Sequence, residues 1–174
     1  MISFAEQVKL VSDAANQVPV DVESLAQSLG IGVDEAFLED NISGMLECHN
    51  GAYTITVNHS HSDTRKRFTV AHEIGHYMLH RPLIGEGIDD SIAYRSESGG
   101  KYHNTKIGPR QETQANKFAA SLLMPTSQIR THHATFRGDG RSGLQSMAEL
   151  FNVSEASMRI RTEGMGLSFS DPVA

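Results

Sequence analysis

Two histidines flank a glutamate at His72-Glu73-x-x-His76, within the run Arg67-Phe68-Thr69-Val70-Ala71-His72-Glu73-Ile74-Gly75-His76-Tyr77-Met78-Leu79-His80. Phe68, Val70, Ala71, Ile74, Tyr77, Met78 and Leu79 are spread around most of a helical circumference, which predicts a central, buried helix. Ser62 or Asp63 can cap it, and Pro82 stops it near His80. Four residues of helix turn through about 400° and rise about 6 Å, so His72 and His76 stack on one face and can reach a single metal ion. Neutral imidazoles suit Zn²⁺, and Glu73, pointing beside the ion rather than at it, is placed as the general base of a hydrolysis. The competing reading is two solvated surface histidines. A helix this apolar would bury them, however, and buried polar groups need partners.

A catalytic zinc needs a third protein ligand and one open position. Glu112 is the choice, because it opens the next predicted helix, about 111–123, whose apolar face carries Ala115, Phe118, Ala119, Leu122 and Leu123 before Pro125. Asn116 follows one turn later on the face of Glu112, where its amide could hydrogen-bond a ligand imidazole from behind. His80 stands about 12 Å along the helix axis from His72, too far for the same ion, and it misses the metzincin spacing. His59, His61, His103, His132 and His133 fall in predicted loops; with Tyr94 and Tyr102 they are open candidates for steadying an oxyanion. Cys48, in a predicted strand, reads as a packed thiol.

The run from Arg67 to His80, followed by Glu112-Thr-Gln-Ala115-Asn116-Lys-Phe118-Ala119-Ala120-Ser-Leu122-Leu123-Met124-Pro125, resembles the ImmA/IrrE family of zinc metallopeptidases. The similarity covers most of the chain. It implies a gluzincin-type site with His72, His76 and Glu112 on one zinc ion and Glu73 as catalytic base. It also implies a protein substrate, since relatives act on helix-turn-helix repressors in phage, mobile-element or stress-response control. Gln114 stands where the family often has a second Glu, and the connection 81–110 matches no family pattern; neither removes a ligand.

Around these helices the chain reads as an α+β protein. A helix over 3–16 and another over 22–29, capped by Asp21, precede short β-like runs from Ile31 to Asn58, where His49-Asn50-Gly51 signals a hairpin and hence a small antiparallel sheet. Residues 83–109, rich in Gly and Ser, read as a long connection with a short strand at 92–94, a plausible place for substrate gating. Residues 131–143 read as loop. Leu144–Phe151 and a helix from Ser154 to about Thr162 outline a helix-turn-helix. The expected architecture is a zincin-like core over 1–125 with a C-terminal helix-turn-helix-like element over 126–174 packed on it.

With 174 residues, 39% hydrophobic and 21% charged, the composition is that of a globular domain and excludes collagen-like, coiled-coil and wholly disordered classes. Fifteen Lys and Arg against 21 Asp and Glu leave a net charge of −6, which disfavours non-specific binding to nucleic acid or anionic membrane. Over 126–163, five arginines nearly balance Asp139, Glu149, Glu155 and Glu163, so direct DNA binding through Arg159 and Arg161 has a weak electrostatic footprint. The lone cysteine and the lack of a signal-peptide or 18-residue apolar stretch fit the cytoplasm. The expected activity is therefore zinc-dependent endoproteolysis of a specific cytosolic protein, a helix-turn-helix repressor or antitoxin. A different class of function is a non-proteolytic regulator or toxin–antitoxin partner that keeps zinc for structure.

Overall fold

A computed structural model describes residues 2–84, 87–92 and 106–169. Helix α1 (Phe4–Ala14) starts with a capping box, in which Ser3 and Glu6 each bond the other's backbone N–H, and α2 (Val22–Ser28) starts where the Asp21 carboxylate accepts from Ser24 N–H at 2.9 Å. Strands β1 (Ile31–Ala36), β2 (Ile42–His49) and β3 (Ala52–Asn58) follow, then α3 (Asp63–His80) and a single 3-10 turn. Strand β4 (Gly87–Ile92) precedes α4 (Pro109–Leu123), α5 (Thr126–Phe136), α6 (Gly140–Phe151) and α7 (Glu155–Gly164).

The sheet is mixed rather than antiparallel, in the order β1-β3-β2-β4. Asn50 and Gly51, at φ 52° and 77°, make the tight turn that pairs β2 with β3, as Asn-Gly dictates. Strand β1 then adds to the free edge of β3 in parallel, and β4 pairs with the other edge of β2. The hairpin signal specifies only its own two strands. The crossover from β1 to β2 depends instead on buried Asn58, whose Nδ2 lies 3.3, 3.2 and 2.9 Å from the carbonyls of Leu38, Glu39 and Ile42.

Register places Val33, Ile55 and Leu46 side by side across the sheet, and Leu46 and Ile55 are fully buried in a core shared with α2, α3, α4 and the C-terminal helices. Helix α3 runs through that core: every residue from Thr69 to Tyr77 is buried. Both its ends are tied down by arginines. Near the start, Arg67 donates to Val20 O at 2.8 Å and to Asn152 O at 3.2 Å. Just past the end, Arg81 stacks 3.8 Å from the Tyr77 ring centroid and donates to Gln7 Oε1 at 2.8 Å.

Residues 126–136, part of which reads as loop in the sequence, form α5. Its buried face is Ile129 and His133, so a histidine occupies a position where periodicity looks for a hydrocarbon. His133 Nε2–H donates to Ser168 O at 2.8 Å, and the His132 ring meets Phe151 edge-on, so neither is the exposed loop histidine expected. The predicted strand at 92–94 is displaced towards the N-terminus, ending at Ile92; Tyr94, Tyr102 and His103 lie outside the described residues.

Candidate metal centre

Helices α3 and α4 make the most extensive helix–helix contact among the described residues, and Gly75 faces α4 within it. A Cβ there would lie 3.1 Å from Phe118 Cδ1, 3.2 Å from Ala115 Cα and 3.3 Å from Ala115 O. Glycine inside a helix costs roughly 1 kcal/mol against alanine. Here it lets the α4 backbone close on α3, which brings Glu112, one turn before Asn116, over the two histidines.

The resulting geometry is tight. His72 Nε2 lies 3.0 Å from His76 Nε2, Glu112 Oε2 lies 3.3 Å from His72 Nε2, and Glu112 Oε1 lies 3.4 Å from His76 Nε2. Ligand atoms around a tetrahedral zinc with bonds of about 2.0–2.1 Å are separated by about 3.3 Å, so the donor set fits such an ion. Among the described residues, these three form the only His, Cys, Asp and Glu group spaced to hold one. Burial alone would push the Glu112 carboxyl up, but His72 and His76, where they turn N–H towards it, outweigh that and hold it down to about 2. A carboxylate thus faces two imidazoles across the space an ion would take.

The far side of each ring sets its tautomer. Asn116 Oδ1 can only accept, and it sits 3.0 Å from His72 Nδ1, so Nδ1 carries the hydrogen and Nε2 keeps its lone pair. Behind His76, the Nδ1 atom is 3.2 Å from His80 Nδ1, and His80 Nε2 is 3.1 Å from Gln114 Oε1. Burial lowers the His80 pKa and favours its neutral form. Glu73 is on α3 immediately after His72, with only 1% of its surface exposed.

The structure thus brings His72, His76 and Glu112 to one point, with Asn116 behind His72 and Glu73 on the same helix. The remaining histidine candidates are elsewhere: His59 Nδ1 is 2.9 Å from Glu35 Oε2 at the sheet edge, and His61 lies in the turn before α3. Cys48 is buried in β2. Sequence reasoning weighed His80 only as a metal ligand and missed it as a partner of His76. The signal was present, since His72, His76 and His80 recur at intervals of four on one helix face. Gly75 carries a signal of the same kind, since a glycine within a buried helix asks for a packing reason.

Residues 26–163 match the IrrE N-terminal-like domain of the peptidase M78 family. This chain belongs to that family. It is 34% identical over 131 residues to the radiation response metalloprotease IrrE of Deinococcus radiodurans, covering 72% of this chain and 35% of that protein. It is 31% identical over 150 residues to the protein of the same description from Deinococcus deserti, covering 78% and 50%. The chain thus spans between a third and a half of the length of these curated relatives. Its fold resembles that of a Mycobacterium tuberculosis transcriptional regulator, with a TM-score of 0.53 at 15% identity over 92% of this chain and 46% of the other. No helix among the described residues is long and apolar enough to cross a membrane.

Proposed function

We propose that this M78-family chain is a zinc-dependent endopeptidase with a zincin-like core, in which His72, His76 and Glu112 hold one zinc ion and Glu73 is the catalytic base. The observation that carries the reading is the convergence on one point of two imidazole Nε2 atoms from α3, the helix that also carries buried Glu73, and the Glu112 carboxylate from α4. Zinc held there would supply Lewis acidity, polarising a peptide carbonyl and making a water acidic enough to attack it. Glu73 accepts the proton of the attacking water and returns it to the leaving amine. Asn116 accepts from His72 Nδ1–H and holds that ring in its ligating orientation.

A cleft of about 370 Å³ lies behind His72, lined by Phe68, Asn116, Ala120, Met124 and Ile160 among others. Phe68 packs towards the His72 ring, at 6.4 Å between centroids, and Asn116 bonds its Nδ1, so the cleft lies against the back of that ring. The substrate we propose is a cytosolic helix-turn-helix repressor or antitoxin. Helices α5 to α7 serve as packing support rather than a DNA reader: Arg161 donates to Met124 O at 3.1 Å and Arg159 to Glu155 at 2.8 Å, so both arginines are engaged within the chain.

The test is the Glu73→Gln variant, assayed for zinc by elemental analysis and for cleavage of helix-turn-helix repressors. Zinc content should match the parent while turnover falls by about 10²–10⁴-fold. Cleavage at the parental rate would remove Glu73 as the base, and a parent that cleaves nothing or holds no stoichiometric metal would replace this reading with that of a non-proteolytic binding regulator.

A further inference from the structure

The two histidines on the metal side are held from behind in different ways, and the difference is informative. His72 is bonded directly by the Asn116 amide oxygen, which accepts. His76 instead faces another imidazole, 3.2 Å away, which can either donate or accept. What decides the direction is the far end of that second ring, where His80 Nε2 is 3.1 Å from Gln114 Oε1.

Hydrogen-bond polarity propagates along such a chain. If His80 Nε2–H donates to Gln114 Oε1, then neutral His80 has a bare Nδ1, which must accept from His76 Nδ1–H, and His76 Nε2 is left with the lone pair a metal requires. With the opposite polarity, His76 Nε2 would carry a hydrogen aimed at His72 Nε2 and Glu112, and the site would not bind a cation. His80 is 5% exposed, so solvent does not readily replace this partner.

We propose that His80 and Gln114 are positioning residues that hold His76 in its Nδ1–H tautomer and so present its Nε2 lone pair to the metal. The inference rests on the metal-binding reading above. It makes the third histidine of the helix functional without being a ligand, and gives α4 three roles: Glu112 as ligand, Asn116 behind His72, and Gln114 behind His76 through His80.

Glutamine can turn its amide and offer a donor instead, whereas glutamate only accepts. Gln114→Glu should therefore tighten zinc binding, Gln114→Met should weaken it severalfold, and His80→Phe should weaken it by about 10–100-fold, the usual cost of losing such a supporting group. Zinc affinity of the full chain is read by competition with a chromophoric chelator, with the melting temperature of each metal-free variant as the check on folding. Because glutamate also adds charge, Gln114→Glu is repeated in the His80→Phe background, where the gain should disappear. Independently, ¹⁵N shifts of the imidazoles in the metal-free parent at pH 8 should show His76 protonated at Nδ1, with Nε2–H appearing in Gln114→Met.

Affinity within twofold of the parent in folded His80→Phe, a gain from Gln114→Glu that persists without His80, or a parent His76 protonated at Nε2 would each overturn the inference. A parent that binds zinc with unaltered His80→Phe affinity defeats only this proposal. A parent that binds no zinc defeats the metal reading, and the tautomer measurement still decides whether the hydrogen-bond chain has the stated polarity.

Discussion

The α3–α4 crossing and the α6–α7 pair are both helix pairs rich in polar side chains, and they treat those side chains in opposite ways. On α3, His72, Glu73, His76 and His80 are all buried, and the histidines meet Asn116, Gln114 and Glu112 from α4. On α7, Arg159 is about half exposed and pairs with Glu155 one turn away on its own helix. A buried polar group costs several kcal/mol unless partnered, so its presence demands a specific arrangement, whereas a surface ion pair is worth about 0–1 kcal/mol and specifies little. Chemistry is therefore legible where polarity is buried.

The strongest challenge to that contrast is removal of a buried donor. Glu112→Ala should weaken zinc binding by about a hundredfold or more, as expected for loss of one of three protein ligands, read by chelator competition on the purified chain. Retention of parental affinity would mean that α4 does not supply the third ligand.

The next probes the crossing itself. Gly75→Val puts a branched side chain against the Ala115 backbone, at contacts already 3.2–3.3 Å from the first added carbon. Overpacking of this kind should destabilise the chain by about 1–3 kcal/mol in urea unfolding, and it should weaken metal binding as Glu112 is displaced. Full stability with weakened metal binding would show that the helices part without harm to the core.

A smaller effect is expected outside the crossing, at the start of α2. Asp21→Ala removes the cap on Ser24 and should cost about 1 kcal/mol at neutral pH. The Asp21 carboxyl is held below its ordinary 3.8, chiefly by hydrogen bonds from the Ser24 backbone and side chain. Because the folded value lies below the unfolded one, this stabilisation is complete above pH 3.8 and is lost as pH falls through the folded value. The gap between parent and variant should therefore close on acidification, as measured by thermal melts across pH 2–7. A gap that widened in acid would assign the stabilisation to another group.

Smallest of all, Arg159→Ala should change stability by less than about 1 kcal/mol and leave zinc content and cleavage unchanged. Duplex DNA binding should be undetectable in mobility shifts for parent and variant alike. A steeply salt-dependent affinity lost in Arg159→Ala would give the C-terminal pair a function of its own.

The sequence by itself determined the elements whose signals are local. The buried helix α3, the one-face spacing of His72 and His76, the hairpin at Asn50–Gly51 and the position of Glu112 at the start of α4 all follow from periodicity, turn chemistry and i,i+4 geometry. Tertiary structure decided what depends on partners distant in the chain. The parallel addition of β1 to β3 is invisible to a hairpin signal, and α5 is hidden because His133 stands on its apolar face and finds a carbonyl partner only at Ser168. The closeness of α4 to Gly75 and the contact of His80 with Gln114 likewise arise only once the helices cross. Spacing along one helix can place two histidines on one face, but the hydrogen bonds behind their rings reach across to Asn116 and Gln114 of another helix.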